Sequence, residues 1–265
     1  MFGRITVGLL IAGLIILFNP IGEAKDKSLE LWLAFDGSKP AVAEDASGNG
    51  NDGTIKGGKR VTGKYGKAIA IGLKDEFIEI GDVLQKKTNP AGTLMMWFKP
   101  KWKPGTGTSY RLFDANTAAI YWLIGQGKTG GQADKFGFWF EDAADKDFQD
   151  WQTPSADLKQ GQWNHIAATW DFGKSEAKFF IDGAEVSKTE GLGGFPPLAP
   201  KPKIGFNVGI NYMPATHGAD SDIDEFAIYS KALDEKTIKA DMVESLAVEA
   251  DDKLPTTWAK IKAAR

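Results

Sequence analysis

From residue 29 to about residue 230 the chain is written in short runs whose apolar residues recur at every second position, each run closed by Gly, Asn, Asp or Pro. Such patterning sends alternate side chains to opposite faces of an extended backbone, so the runs read as half-buried β-strands. Leu29, Leu31, Leu33 and Phe35 alternate on one face of a first strand. Segments 68–71 and 77–80 read as two strands around a Gly-Leu-Lys-Asp turn, and 93–99, 119–124 and 136–141 are further apolar-aromatic runs. Segment 163–171 is a long strand with Trp163 and His165 on one face and Ile166, Ala168 and Trp170 on the other. Asp182-Gly183 joins 177–181 to 184–187, and that dipeptide supplies the positive φ angles of a tight hairpin turn. Segment 223–229 closes the series. Many short strands with glycine-rich turns build a sandwich or barrel, not βαβ units.

One segment reads as a helix. Asp234 caps it, and Ile238, Met242 and Leu246 give an apolar stripe. The Gly- and Pro-dense stretch 191–202 reads as a long surface connection, and the acidic stretch 141–150 as a solvated loop. No internal repeat or second domain is evident, so 25–250 is one domain and 251–265 a polar tail carrying Trp258 and Ile261.

At the N-terminus, Arg4 precedes an apolar run over 5–18 that is short of a comfortable membrane span but suits a secretory leader. Gly22-Glu23-Ala24 sets small residues for cleavage, making 1–24 a signal peptide and the mature chain an envelope or extracellular protein without a membrane span. The alternative is a retained anchor. With no Cys there are no disulfides, thiolate metal sites or Cys nucleophile, and two His leave no histidine metal cluster. A formal net charge of −3 excludes a strongly basic nucleic-acid binder.

Several segments in order carry a resemblance: LWLAFDGS (31–38), EDASGNGNDGTI (44–55), KYGKAIAIG with FIEIGD, WNHIAATWD (163–171) with FFIDGAEV (179–186), and SDIDEFAIYSKALDEKTI (221–238). The chain resembles the laminin-G-like, concanavalin-A-like jelly-roll domains of bacterial secreted proteins, over about residues 29–240. The resemblance implies an all-β fold of two antiparallel sheets in a jelly-roll sandwich with one short C-terminal helix. It also implies binding to glycan or to a surface protein, often with calcium.

Ser-Gly-Asn-Gly-Asn-Asp-Gly crowds oxygen donors on a backbone that folds tightly, and calcium takes six to eight such oxygens. Asp45, Asn49 and Asp52 are the candidate ligands here, with Asp36 beside the loop and Asp224 on the last strand at the position where the resemblance implies a metal-supporting carboxylate. The same loop also reads as an Asx-turn without metal. The related laminarinase-type glycosidases present paired carboxylates on one strand. Strict alternation here puts Asp222, Asp224 and Phe226 on one face and Glu225 on the other, so that pair is not assembled. His165 and His217 support no catalytic triad, and the expectation is a binding module rather than an enzyme. Trp102, Trp151 and Tyr212 sit in polar, loop-like contexts and are the candidate sugar-stacking residues, while Trp122 and Trp139 read as core.

Overall fold

A computed structural model describes residues 26–81, 83, 90–106, 108–115, 122–127, 135–141, 147–154, 158–192, 206–210 and 217–243, with backbone alone at 141 and 147–154. In chain order the strands are β1 (Leu29–Leu33), β2 (Val42–Ala43), β3 (Gly53–Lys56), β4 (Lys59–Thr62), β5 (Lys67–Ile71), β6 (Phe77–Ile80), β7 (Ala91–Pro100) and β8 (Tyr110–Asp114). Then come β9 (Trp122–Gln126), β10 (Lys135–Glu141), β11 (Asp147–Pro154), β12 (Asn164–Asp171), β13 (Glu176–Ile181), β14 (Ala184–Glu190), β15 (Phe206–Val208) and β16 (Ser221–Tyr229), followed by helix α1 (Glu235–Val243). The first sheet runs β14-β13-β12-β7-β16-β5-β4, with β1 also paired to β16, and the second runs β11-β10-β9-β8-β15-β6-β3-β2. Both are antiparallel, as the alternation and the family resemblance imply.

The inner faces meet in one core. Met96, Phe98, Ile166, Trp170, Phe179 and Ile223 face Ile78, Phe113, Trp122, Ile124, Phe136 and Phe138, all buried. Trp122 stands edge-on to Trp170 at 4.5 Å between ring centroids, and Phe98 stacks on Phe136 at 5.5 Å. Fully burying such side chains contributes roughly 1.5–3 kcal/mol each. At the β13–β14 turn, Asp182 has φ 48° and Gly183 φ 77°, the paired positive angles of a two-residue hairpin.

Helix α1 closes the outer face of the first sheet. Asp234 caps it by accepting the Thr237 N–H at 2.8 Å, and Ile238 packs with Trp32, Met95, Ala167, Phe180 and Tyr229 in a separate apolar cluster. The Tyr65 hydroxyl donates to the Met242 carbonyl at 2.9 Å and ties down the end of the helix. No described helix is long and apolar enough to cross a membrane.

Alternation fails where strands bulge. The β1–β16 register shifts between Leu29 and Leu31, so Leu31, Leu33 and Phe35 enter the main core while Leu29 joins the outer cluster. A second shift between Asp224 and Ala227, with Glu225 at φ 51°, brings Phe226 into the core. A third shift lies between Arg111 and Phe113 on β8. The acidic stretch 141–150 is not all loop, since 147–150 pair with β10 in β11. The leader 1–24, the tail 251–265, Leu246 and most of 191–202 lie outside the described residues.

Candidate functional site

The five candidate metal ligands fall into two groups, each bonded to backbone. Asp45 accepts the N–H groups of Trp32 (3.1 Å) and Ser47 (2.9 Å) on Oδ1 and of Asn51 (2.9 Å) on Oδ2, while Asp52 accepts the N–H of Asp45 at 2.8 Å. Asn49 turns its amide nitrogen to the carbonyls of Leu29 (2.8 Å) and Glu30 (3.1 Å). Asn51 Nδ2 and Ser47 Oγ donate to the same Glu30 carbonyl. Glu30 is the bulged residue of β1, and a bulge leaves backbone groups outside the ladder. The Ser-Gly-Asn-Gly-Asn-Asp loop therefore supplies the partners that β16 does not.

Asp36 and Asp224 hold the β4–β5 turn. Asp224 Oδ2 accepts the N–H groups of Lys64 (2.8 Å) and Tyr65 (3.1 Å), its Oδ1 accepts that of Glu225 (2.9 Å), and Asp36 Oδ1 accepts that of Lys67 at 2.7 Å. A Cβ on Gly66 would lie 2.0 Å from Asp36 Oδ1, so only glycine lets that carboxylate approach. Burial pushes the Asp224 carboxyl up to about 7 against its three N–H donors, and Asp36 adds to the rise. Among the described residues no three His, Asp or Glu side chains converge as metal ligands. Asp45 accepts three N–H groups and Asn49 gives its amide nitrogen to two carbonyls, so both side chains are engaged with backbone.

The carboxylates of β16 are likewise engaged. Asp222 and Asp224 face away from the core that takes Ile223, and the bulge after them turns Glu225 to the same side and Phe226 into the core, correcting the strict alternation. Asp222 pairs with Lys99 (3.0 Å) and Lys101 (3.3 Å), and Glu225 accepts the Trp32 indole N–H. His165, beside them, is buried and neutral, pushed down to about 3 by desolvation, with its ring edge-on to Trp97 at 5.2 Å.

Of the three candidate sugar-stacking residues, Trp102 is core. It is 4% exposed, stacks on Tyr110 at 4.5 Å and donates its indole N–H to the Ala219 carbonyl at 2.9 Å. Its polar neighbours in sequence, Lys101 and Lys103, hid an inward-facing ring. The Trp151 side chain and Tyr212 lie outside the described residues.

A different surface gathers binding chemistry. On the outer face of the second sheet, backbone register aligns Trp139, Leu123, Asp114, Asn207, Glu79 and Thr54 in one row across β10, β9, β8, β15, β6 and β3. Burial deepens along it. Thr54 and Glu79 are exposed, whereas Asn207, Asp114, Leu123 and Trp139 are buried. Trp139 and Leu123 form a cluster detached from the inter-sheet core, so Trp139 is not part of that core as expected. Arg111, three residues before Asp114 on β8, is also buried. The alternation of Trp139 against Phe138 and Phe140 was the signal in the sequence; which face was inner was not.

The family model for the concanavalin A-like lectin/glucanases superfamily matches residues 74–239. The chain belongs to that superfamily. No curated protein matches it in sequence. Among solved structures, this superfamily member is similar to domain 4 of AbnA, a GH43 extracellular arabinanase from Geobacillus stearothermophilus, in complex with arabinotriose. The TM-score is 0.60 at 23% identity, covering 80% of this chain and 97% of that one. It is also similar to the binding domain of Paraclostridial Mosquitocidal Protein 1, with TM-score 0.62 and 17% identity over 81% of this chain and 52% of the other. A third is the binding domain of botulinum neurotoxin DC in complex with rat synaptotagmin II, with TM-score 0.61 and 14% identity over 85% and 53%. The chain spans about half the length of both toxin domains, and at these identities the likeness is one of fold.

Proposed function

We propose that this superfamily member is a non-catalytic recognition module that binds glycan on the outer face of its second sheet, and that it works outside the cytoplasm. The observation that carries the reading is the row on that face, where an indole and a leucine detached from the core adjoin buried Asp114 and Asn207. Aromatic and aliphatic surface packs on the C–H face of a sugar ring, and carboxylate and amide groups bond its hydroxyls. The arabinotriose complex of a fold relative accords with this. The β16 carboxylates, each tied to Lys, backbone N–H or indole, support binding over hydrolysis. The apolar run 5–18 followed by Gly22-Glu23-Ala24 supports export.

Glycan-array screening followed by calorimetry tests the reading. Binding to an oligosaccharide should fall at least tenfold in Asn207→Ala and Trp139→Ala. A second reading, a protein partner, draws on the synaptotagmin complex of another relative. Capture of a surface protein that no sugar competes away, with the array blank, would replace the glycan reading with that one. Reducing sugar released by the wild type and not by Asp222→Asn would make the chain a hydrolase.

A further inference from the structure

We propose that the glycan taken by this face carries a sugar carboxylate, as in a uronic or sialic acid, and that Arg111 receives it; this rests on the glycan reading above. Arg111 is 6% exposed on the outer side of β8, where the inward places are taken by Tyr110, Leu112 and Phe113. Its Nη1 donates to the carbonyls of Tyr110 (3.2 Å), Gln126 (2.9 Å) and Gly127 (2.7 Å), which fixes the plane of the guanidinium. Its Nε and Nη2 make no hydrogen bond among the described residues. Arg60 is the contrasting case. All three of its nitrogens are bonded, to the carbonyls of Phe35, Lys39 and Val42, and its role is to clamp the β1–β2 connection.

The edge left open on Arg111 is the one that binds a carboxylate with two parallel N–H bonds. In register beside it on β9 is Gly125, where a Cβ would lie 2.1 Å from the Tyr110 carbonyl oxygen, and beside that on β10 is Gly137. Asp114 acts on Arg111 through space and favours its charged form. Burial lowers the guanidinium to about 10, which leaves it charged at neutral pH. His217 nearby is held below its ordinary value by its own burial and by Arg111. A buried, oriented and incompletely bonded cation, on the same strand as Asp114 of the row and separated by β9 from the strand of the indole, is complementary to an acidic sugar.

The test is calorimetry of the full chain against uronate and sialate oligosaccharides and their carboxyl-methylated counterparts at fixed ionic strength. The acidic form of at least one should bind tenfold or more tighter than its methyl ester. Arg111→Gln should abolish that preference, and because the variant also loses the Nη1 bonds, the wild-type comparison stands without it. Equal affinity for acid and ester, binding of neutral glycans alone, or a preference that persists in a folded Arg111→Gln would each overturn the inference and leave the glycan reading intact. Failure to bind any glycan, neutral or acidic, would overturn both.

Discussion

The indole Nε1 of Trp32 on β1 donates a 2.6 Å hydrogen bond to Oε2 of Glu225 on β16, and both side chains are buried. The bond exists because Glu225 bulges, at φ 51°, towards the strand that replaces β5 along the edge of β16. A buried carboxylate that loses a donor keeps its desolvation cost, and hydrogen bonds to charged groups contribute about 1.5–3 kcal/mol. Trp32→Phe should therefore lower stability by roughly that amount in urea melts, with less loss when Glu225→Gln is already present. Additive losses in the double-mutant cycle would show that the two side chains are not coupled.

Two buried groups set opposing pH slopes. The Asp224 carboxyl, raised to about 7 by burial, keeps a proton in the folded state that the unfolded chain has released, so its contribution to stability is full at acid pH and is lost as pH rises towards 7. His165, pushed down to about 3 by desolvation, refuses a proton that the unfolded chain accepts, so its contribution is full above about 6.5 and is lost as pH falls towards 3. Each is bounded by about 1.4 kcal/mol per pH unit across its window. Relative to wild type, Asp224→Asn should make stability rise more steeply between pH 4 and 7, and His165→Asn should make it rise less. Unchanged slopes in chemical denaturation would contradict both environments.

At the β13–β14 turn, Gly183 at φ 77° faces the Lys239 side chain of α1, where a Cβ would sit 2.8 Å from Cγ. The lysine can move; the backbone angle cannot be relaxed without undoing the turn. Gly183→Val should cost roughly 1–3 kcal/mol, measured as a lower Tm, through the strain of a β-branched residue at positive φ. An unchanged Tm would remove the two-residue turn.

Because the 45–52 loop bonds its own backbone and that of Glu30, its order needs no cation. Melting curves of stripped protein in chelator and in millimolar calcium should superimpose, while Asp45→Ala should lower Tm in both. A calcium-dependent rise, as mass action gives for a ligand bound only by the native state, would establish the metal site.

The sheets were legible because period-two alternation survives along most strands: 77–80 matches β6, and 163–171 all but matches β12. The bulges were not. At Glu30, Arg111 and Glu225 one inserted residue reverses the facing of the residues after it, and alternation cannot register that from sequence. Two of the bulges draw in residues that the sequence offered as metal ligands. Asn49 serves the Glu30 carbonyl, and Asp224 takes the N–H of Glu225. The row on the second sheet was hidden for another reason, since Asn207 and Asp114 come from short strands whose register is set only in three dimensions.

The most direct measurement of where ligand binds is chemical-shift mapping of the isotopically labelled chain, titrated with the best oligosaccharide from the array. Perturbations should centre on Glu79, Asn207, Asp114, Arg111, Leu123 and the Trp139 indole, with the outer face of the first sheet around Trp97 and Ile238 unchanged. Shifts centred on Trp97, His165 and helix α1, with Asn207 and Trp139 silent, would contradict binding on the second sheet.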